Sequence, residues 1–221
     1  MSGRYDALVV AGSPECDPAL VAEMAPRCGS VVAVDRGADA CATAGVLPDL
    51  FVGDGDTVGE RGAVWVADAP AVRLDPEKDD TDLSVALDRV RALCGASARV
   101  ALLGALGGRL DHLLGVLGVC RTHAGLAIDL IDRTTKAQLI SPEGRASVAV
   151  PGAGTSFSVI PLADDTVVSE RGAHWNLDHA HLDALQDLGV SNRVATDEVT
   201  VTCHAGCALV ICHERSAPLA R

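Results

Sequence analysis

Aromatic residues are scarce: Trp, Tyr and Phe together make up 2% of the 221 residues. A core must then be built mostly from Val, Leu, Ala and Ile, and a hydrophobic content of 48% supplies enough of them. Lysine occurs only at Lys78 and Lys136, and the formal net charge is −12. Clustered Lys and Arg are what neutralise a phosphate backbone, so this balance argues against non-specific nucleic-acid binding. No run is apolar and long enough to span a bilayer, and the N-terminus has no basic-then-apolar signal pattern. A soluble cytoplasmic protein with no membrane partner is expected. There is no GxxxxGKS or GxxxxGKT loop and no clear GxGxxG, so the common nucleotide folds are not indicated.

Cysteine is present in number, with eight residues. Cys16, Cys28, Cys41, Cys94 and Cys120 are dispersed through apolar segments and read as reduced core residues. The segment "CHAGCALVICH" gathers Cys203, His204, Cys207, Cys212 and His213, and zinc comes to mind. Yet "EVTVTCHAGCALVICHE" alternates like two strands about a short "AG" turn, which predicts a hairpin with incidental thiols.

The first part of the chain alternates in type. "YDALVVAG", "SVVAVD", "PDLFVGDGD", "RVALLGAL" and "LAIDLID" read as buried strands. Between them, "DPALVAEMAPRCG", "GADACATAGV", "TDLSVALDRVRALCG" and "RLDHLLGVLGVCRTHAG" read as helices. Asp17 followed by Pro18 predicts one helix start, and Thr81 or Asp80 another. Such alternation predicts an α/β domain with a mostly parallel sheet. After about Lys136 the segments become short, Val- and Thr-rich and punctuated by Gly, Pro and Asp, as in "ASVAV", "TSFSVIPL", "DTVVSERG", "EVTVTCH" and "CALVICH". That texture predicts an all-β second domain, a sandwich, in which "DHAHLDALQDLG" could supply a turn or two of helix.

Ligands of an open parallel sheet bind beyond the carboxyl ends of its strands, and carboxylates collect there. Asp35 follows "VVAV", Asp54 and Asp56 follow "DLFVG", Asp79, Asp80 and Asp82 lie in "PEKDDTD", and Asp111 follows "LLGALGGRL". Each alone is equally a helix cap or a solvated loop residue. Together they would repel: two carboxylates 4 Å apart do so by roughly 4 kcal/mol at an effective dielectric of 20. A converging set calls for a cation, and oxygen donors favour Mg²⁺ or Ca²⁺. Gly107 and Gly108 sit where a strand hands over to a helix, and there the backbone can approach an anion closely. Arg109 can fork onto a phosphate, and Asp111 can face a metal or accept a bond from a substrate hydroxyl.

In order, "VDRGAD", "PDLFVGDGDTV", "PEKDDTDLSVAL" and "LLGALGGRLDHLLG", then "FSVIPL", "RGAHWNL", "VSNRV" and "EVTVT", resemble the motifs of the thiamine pyrophosphokinase family over nearly the whole chain. The resemblance implies residues 1–138 as an α/β ATP-binding catalytic domain and residues 139–221 as a β-sandwich that binds thiamine and dimerises. It implies transfer of a pyrophosphoryl group from Mg·ATP to thiamine, giving thiamine diphosphate and AMP. It places Asp54, Asp56 and Asp82 at metal-binding positions and Arg109 and Asp111 beside them in catalysis. Asp35, Lys78, Asp79, Thr81, Gly107, Gly108 and His112 fall at positions around the nucleotide. Trp175, Ser191 and Asn192 fall at the thiamine pocket, completed across a homodimer. Whether Asp111 or Asp35 orients the alcohol is left open.

The sequence departs from the family pattern at Arg36 within Asp35-Arg36-Gly37, at Gly55 between the two aspartates and at Thr57. A related pyrophosphokinase acting on a pterin alcohol would share the aspartate and GGRxDH blocks. A regulator that binds nucleotide or thiamine without catalysis is the reading from another class.

Overall fold

The computed structural model describes residues 5–75 and 81–213. Lys78, Asp79 and Asp80 therefore lie outside the described residues. The chain divides into two compact units, Met1–Val119 with Leu130–Arg133 and Cys120–Asp129 with Thr134–Arg221.

In the first unit β1 (Tyr5–Val10) pairs in parallel with β2 (Cys28–Val34) on one side and β5 (Arg99–Leu103) on the other. β3 (Leu50–Gly53) and β4 (Ala71–Arg73) extend the sheet beyond β2, again in parallel. The last four residues of β1, β2 and β5 are all buried, as strands covered on both faces require. Tyr5, Leu8, Val31, Ala33, Phe51 and Leu103 belong to the core.

Helices fill the crossovers, and their ends follow from local chemistry. α1 (Pro18–Met24) starts where the Asp17 carboxylate accepts the Ala19 N–H at 2.8 Å, with Pro18 at the first helical position. α2 (Gly37–Ala44) ends at Gly45, whose φ of 70° lets Val46 N–H reach back to the Cys41 carbonyl. α4 (Asp82–Cys94) is capped by Thr81, whose hydroxyl accepts the Ser84 N–H at 3.3 Å. It buries Leu83, Ala86, Leu87 and Val90, the face its sequence spacing predicts. α5 (Leu110–Thr122) follows β5, and β6 (Ala127–Ile131) follows α5. The six-residue α3 (Glu60–Trp65), absent from the sequence reading, stands between β3 and β4.

The second unit holds two antiparallel strips. β7 (Thr135–Ile140), β14 (Ala208–His213), β9 (Ser156–Pro161) and β12 (Asn192–Arg193) pair in that order. β8 (Ser147–Pro151), β13 (Glu198–Ala205), β10 (Thr166–Arg171) and β11 (Leu177–Leu182) form the other. Alternate residues of both strips, among them Val148, Val150, Phe157, Val159, Val168, Val199, Val201 and Val210, meet in one core. The chain thus holds both the expected sandwich and the expected α/β sheet.

Two local expectations differ. β13 and β14 are not a hairpin: Gly206, at φ 68°, turns the chain so that each strand joins a different strip. Alternation predicts a strand but not its partner. "DHAHL", expected as helix, is strand β11 at the edge of its strip, held by backbone pairing to β10 alone.

All eight cysteines are free thiols. Cys94 is exposed on α4, whereas Cys28, Cys41, Cys120, Cys203 and Cys207 are buried. Burial pushes the Cys16 thiol up to about 11 and the Cys41 thiol up to about 12, so both stay protonated.

Candidate active site

Because β5, β1, β2, β3 and β4 run parallel, their carboxyl ends share one edge. Asp35 leaves β2 there in a left-handed conformation, φ 43°, with its N–H donating to the Val52 carbonyl at 3.0 Å. Gly53 ends β3 at φ 147°, and a Cβ there would collide with Asp35 Oδ1. That oxygen is buried without a hydrogen-bond partner among the described residues.

The carboxylates do converge. Burial first, then a shared hydrogen bond with Asp82 and the charges of Asp82 and Asp54, push Asp35 up to about 7. The Asp54 carboxylate accepts the Asp56 N–H at 2.9 Å. Its proximity, through hydrogen bonding and charge, raises the exposed Asp56 above the usual carboxylate range. Three strand or helix ends thus bring Asp35, Asp54, Asp56 and Asp82 into one electrostatic group. Among the described residues, no group of three or more His, Cys, Asp or Glu is arranged to hold a metal ion. This applies to the aspartates and to the Cys203–His213 segment alike.

Two residues that sequence reasoning missed hold this edge. Asp39, on α2, accepts the N–H of Gly59 and of Gly62, each at 3.0 Å. Its carboxylate fixes the start of α3, and with it the far end of the Asp54–Asp56 loop. Arg73, at the end of β4, places its guanidinium 4.8 Å from the centroid of the Phe51 ring. A Cβ on Gly55 would meet Arg73 Nη1 at 3.0 Å, which sets a cation beside the aspartate pair.

The turn after β5 is built on glycine. Gly104, Gly107 and Gly108 all have positive φ, at 65°, 81° and 71°. A Cβ on Gly107 would collide with the Glu15 carboxylate. Arg109 forks onto Asp111, Nη2 to Oδ2 at 2.6 Å and Nε to Oδ1 at 3.1 Å. Asp111 Oδ1 also accepts the His112 N–H at 3.0 Å, and Arg109 holds the Asp111 carboxyl down at about 2. Both side chains are mostly exposed, and an incoming phosphate can compete for the guanidinium at little cost. Thr81 sits at the α4 N-terminus as a cap.

In the second unit Tyr5's counterparts are few: Phe157 is buried, and Trp175 is 57% exposed. Tyr5 and Phe51 are buried and Trp65 is partly buried against a core, so Trp175 is the most exposed of these rings. Asn192 holds it. Its Oδ1 accepts the N–H of Trp175 at 3.2 Å and of Arg193 at 2.8 Å, and its Nδ2 donates to the Trp175 carbonyl at 2.7 Å and to Glu170 Oε2 at 2.6 Å. Ser191, exposed at φ 61°, donates its N–H to Ser158 Oγ at 3.0 Å. Arg171, Gly172, Asn176, Leu177 and Asp178 line an open cleft of about 290 Å³.

Known proteins share both halves of this arrangement. Residues 21–129 match the family model for the catalytic domain of thiamin pyrophosphokinase, and residues 146–208 match that for its vitamin B1 binding domain. A thiamine pyrophosphokinase of Bacillus subtilis is 28% identical over 185 residues, which cover 81% of this chain and 85% of that protein. One of Oryza sativa is 24% identical over 164 residues, 70% of this chain and 62% of that protein. The crystal structure of a thiamin pyrophosphokinase from Geobacillus thermodenitrificans superposes with a TM-score of 0.76 at 26% identity, covering 96% of this chain and 99% of that one.

Proposed function

Since the chain belongs to the thiamin pyrophosphokinase family, we propose that it moves the β,γ-pyrophosphoryl group of Mg·ATP to the hydroxyl oxygen of thiamine. The bond between Pβ and the α,β-bridging oxygen breaks, a bond forms from Pβ to the thiamine oxygen as its proton passes to Asp111 or Asp35, and AMP leaves with the bridging oxygen. The observation that carries this reading is the group Asp35, Asp54, Asp56 and Asp82 gathered at one sheet edge.

The donor chemistry of that group suits Mg²⁺. Its oxygens are hard, and Asp35 Oδ1 is buried with no hydrogen-bond partner among the described residues. Mg²⁺ commonly takes one or two carboxylates and completes its shell with water and substrate phosphates, so a closed protein cage is not required. Asp54, Asp56 and Asp82 are the residues proposed to hold it. When bound, the ion neutralises charge on the phosphate oxygens.

The chain's own residues do the positioning. The Gly107–Gly108 turn and the α5 N-terminus offer backbone N–H groups to the phosphates, and Arg109 releases Asp111 to fork onto them. With that release Asp111 becomes free to accept a hydrogen bond from the alcohol. Arg73, beside Gly55 in the Asp54–Asp56 loop, is a second cation at this edge. Trp175 faces the cationic thiazolium, an attraction of about 0.5–2 kcal/mol.

On this reading residues 1–138 serve the nucleotide and residues 139–221 serve thiamine and a homodimer contact near it, in a cytoplasmic enzyme. No helix among the described residues is long and apolar enough to cross a membrane. Turnover with thiamine but not with a pterin alcohol, abolished by a chelator, supports the reading. Turnover of the pterin alcohol alone overturns it.

A further inference from the structure

Glu170 is a carboxyl group on the Val-rich strand β10 with no exposed surface, inside a unit whose core cluster is apolar. One oxygen accepts Asn192 Nδ2 at 2.6 Å; the other, Oε1, is buried with no partner among the described residues. Such a group costs stability, and an apolar side chain of similar volume would pack there without that cost. Its presence asks for a return elsewhere.

The return lies in what Asn192 does. A side-chain amide can be turned through 180°, exchanging oxygen and nitrogen. Here Oδ1 faces two N–H donors, those of Trp175 and Arg193, while Nδ2 faces the Trp175 carbonyl and Glu170. Glu170 Oε2 accepts this bond, and an amide oxygen turned toward it could not donate one, so Glu170 favours this orientation. Both amide protons are then used, one on Glu170 and one on Trp175. In that orientation Asn192 grips the Trp175 main chain at its N–H and its carbonyl together. The rest of the segment is tied as well: His174 N–H donates to the Arg193 carbonyl at 2.9 Å, and Ala173 N–H to Asn176 Oδ1 at 3.0 Å. The indole itself stays exposed, its ring centroid 4.4 Å from that of His174, edge-on.

We propose that Glu170 is a positioning residue for substrate recognition, fixing through Asn192 the main-chain pose from which Trp175 presents its indole. This rests on the reading of Trp175 as the thiamine-facing ring. Asn192 acts on substrate through Trp175 rather than by its own amide.

The test uses the whole chain with Trp65→Phe, which leaves Trp175 as the single indole. In this background Glu170→Leu is expected to raise the thiamine KM at least about fivefold, and to leave the Mg·ATP KM and kcat within about twofold. Iodide quenching of Trp175 fluorescence should change in parallel, and Glu170→Gln should restore both readouts, because its carbonyl still accepts Asn192 Nδ2. If Glu170→Leu does not fold, Glu170→Asp, one methylene short of Asn192, should show the same thiamine-specific loss. Unchanged thiamine KM and unchanged quenching in a folded Leu or Asp variant would overturn the proposal. If the parent does not use thiamine at all, the functional reading fails, while the quenching comparison still decides whether Glu170 positions Trp175.

Discussion

Gly53 lies so close to Asp35 that a Cβ on it would run into the Asp35 carboxylate. Gly53 ends β3 and Asp35 follows the neighbouring β2, and the absence of a side chain on one is what lets the other bury an oxygen that has no partner among the described residues. Gly53→Ala adds a collision to a φ of 147° that L-residues rarely adopt. The variant should lose about 1–3 kcal/mol of stability and, where still folded, at least about tenfold in turnover. Denaturant melts and initial rates of AMP formation check both. A Gly53→Ala variant with native stability and rate would mean that Asp35 is free to move.

Asp54→Asn and Asp82→Asn should each lower turnover at least about tenfold, about 1.4 kcal/mol of transition-state stabilisation. Removing one charge from a crowded group relieves repulsion, so the metal-free variants should melt no lower than wild type. Added Mg²⁺ should raise the melting temperature of wild type more than that of either variant. Equal shifts in all three would remove these residues from the metal site.

Glu170 gives a pH prediction. Burial pushes its carboxyl up to about 7 from 4.5, against the smaller opposing effect of the Asn192 hydrogen bond. The folded protein therefore holds this proton more tightly than the unfolded chain. The associated stability is full below about pH 4.5 and is lost as pH rises through about 7. Glu170→Gln cannot lose a proton, so its melting temperature should gain on wild type between pH 5 and pH 8. A constant difference across that range would place the carboxyl in an ordinary, solvated environment.

Trp175→Ala should weaken thiamine roughly 5- to 150-fold, about 1–3 kcal/mol for a lost cation–aromatic contact and its buried area. Mg·ATP binding should be nearly unchanged. Calorimetry with each ligand separately reads this out. Equal loss for both ligands would mean that the ring supports the fold rather than the substrate.

How much of this was legible depended on whether the signal was local. The strands ending at Asp35 and Gly53, the Asp17 and Thr81 caps and the glycine turn after β5 are all written in contiguous residues, and the fold follows them. α3 is too short, at six residues, for a helical period to emerge. β11 is an edge strand whose "DHAHL" carries little apolar alternation, and a bulge between Val168 and Glu170 of its partner breaks the register. The separation of β13 from β14 is a matter of distant pairing. At the site, the carboxylates announced themselves by position, but Asp39, Arg73 and Glu170 did not. A charged residue in a helix or strand reads as solvated until the fold shows what faces it: two glycine N–H groups for Asp39, an aromatic ring for Arg73, an amide for Glu170.

The most direct measurement is phosphorus NMR of the purified protein with Mg·ATP and thiamine, followed to completion. The account predicts AMP and thiamine diphosphate in equal amounts, with neither formed once the divalent metal is chelated. ADP with thiamine monophosphate, or ATP hydrolysed with thiamine untouched, would contradict it.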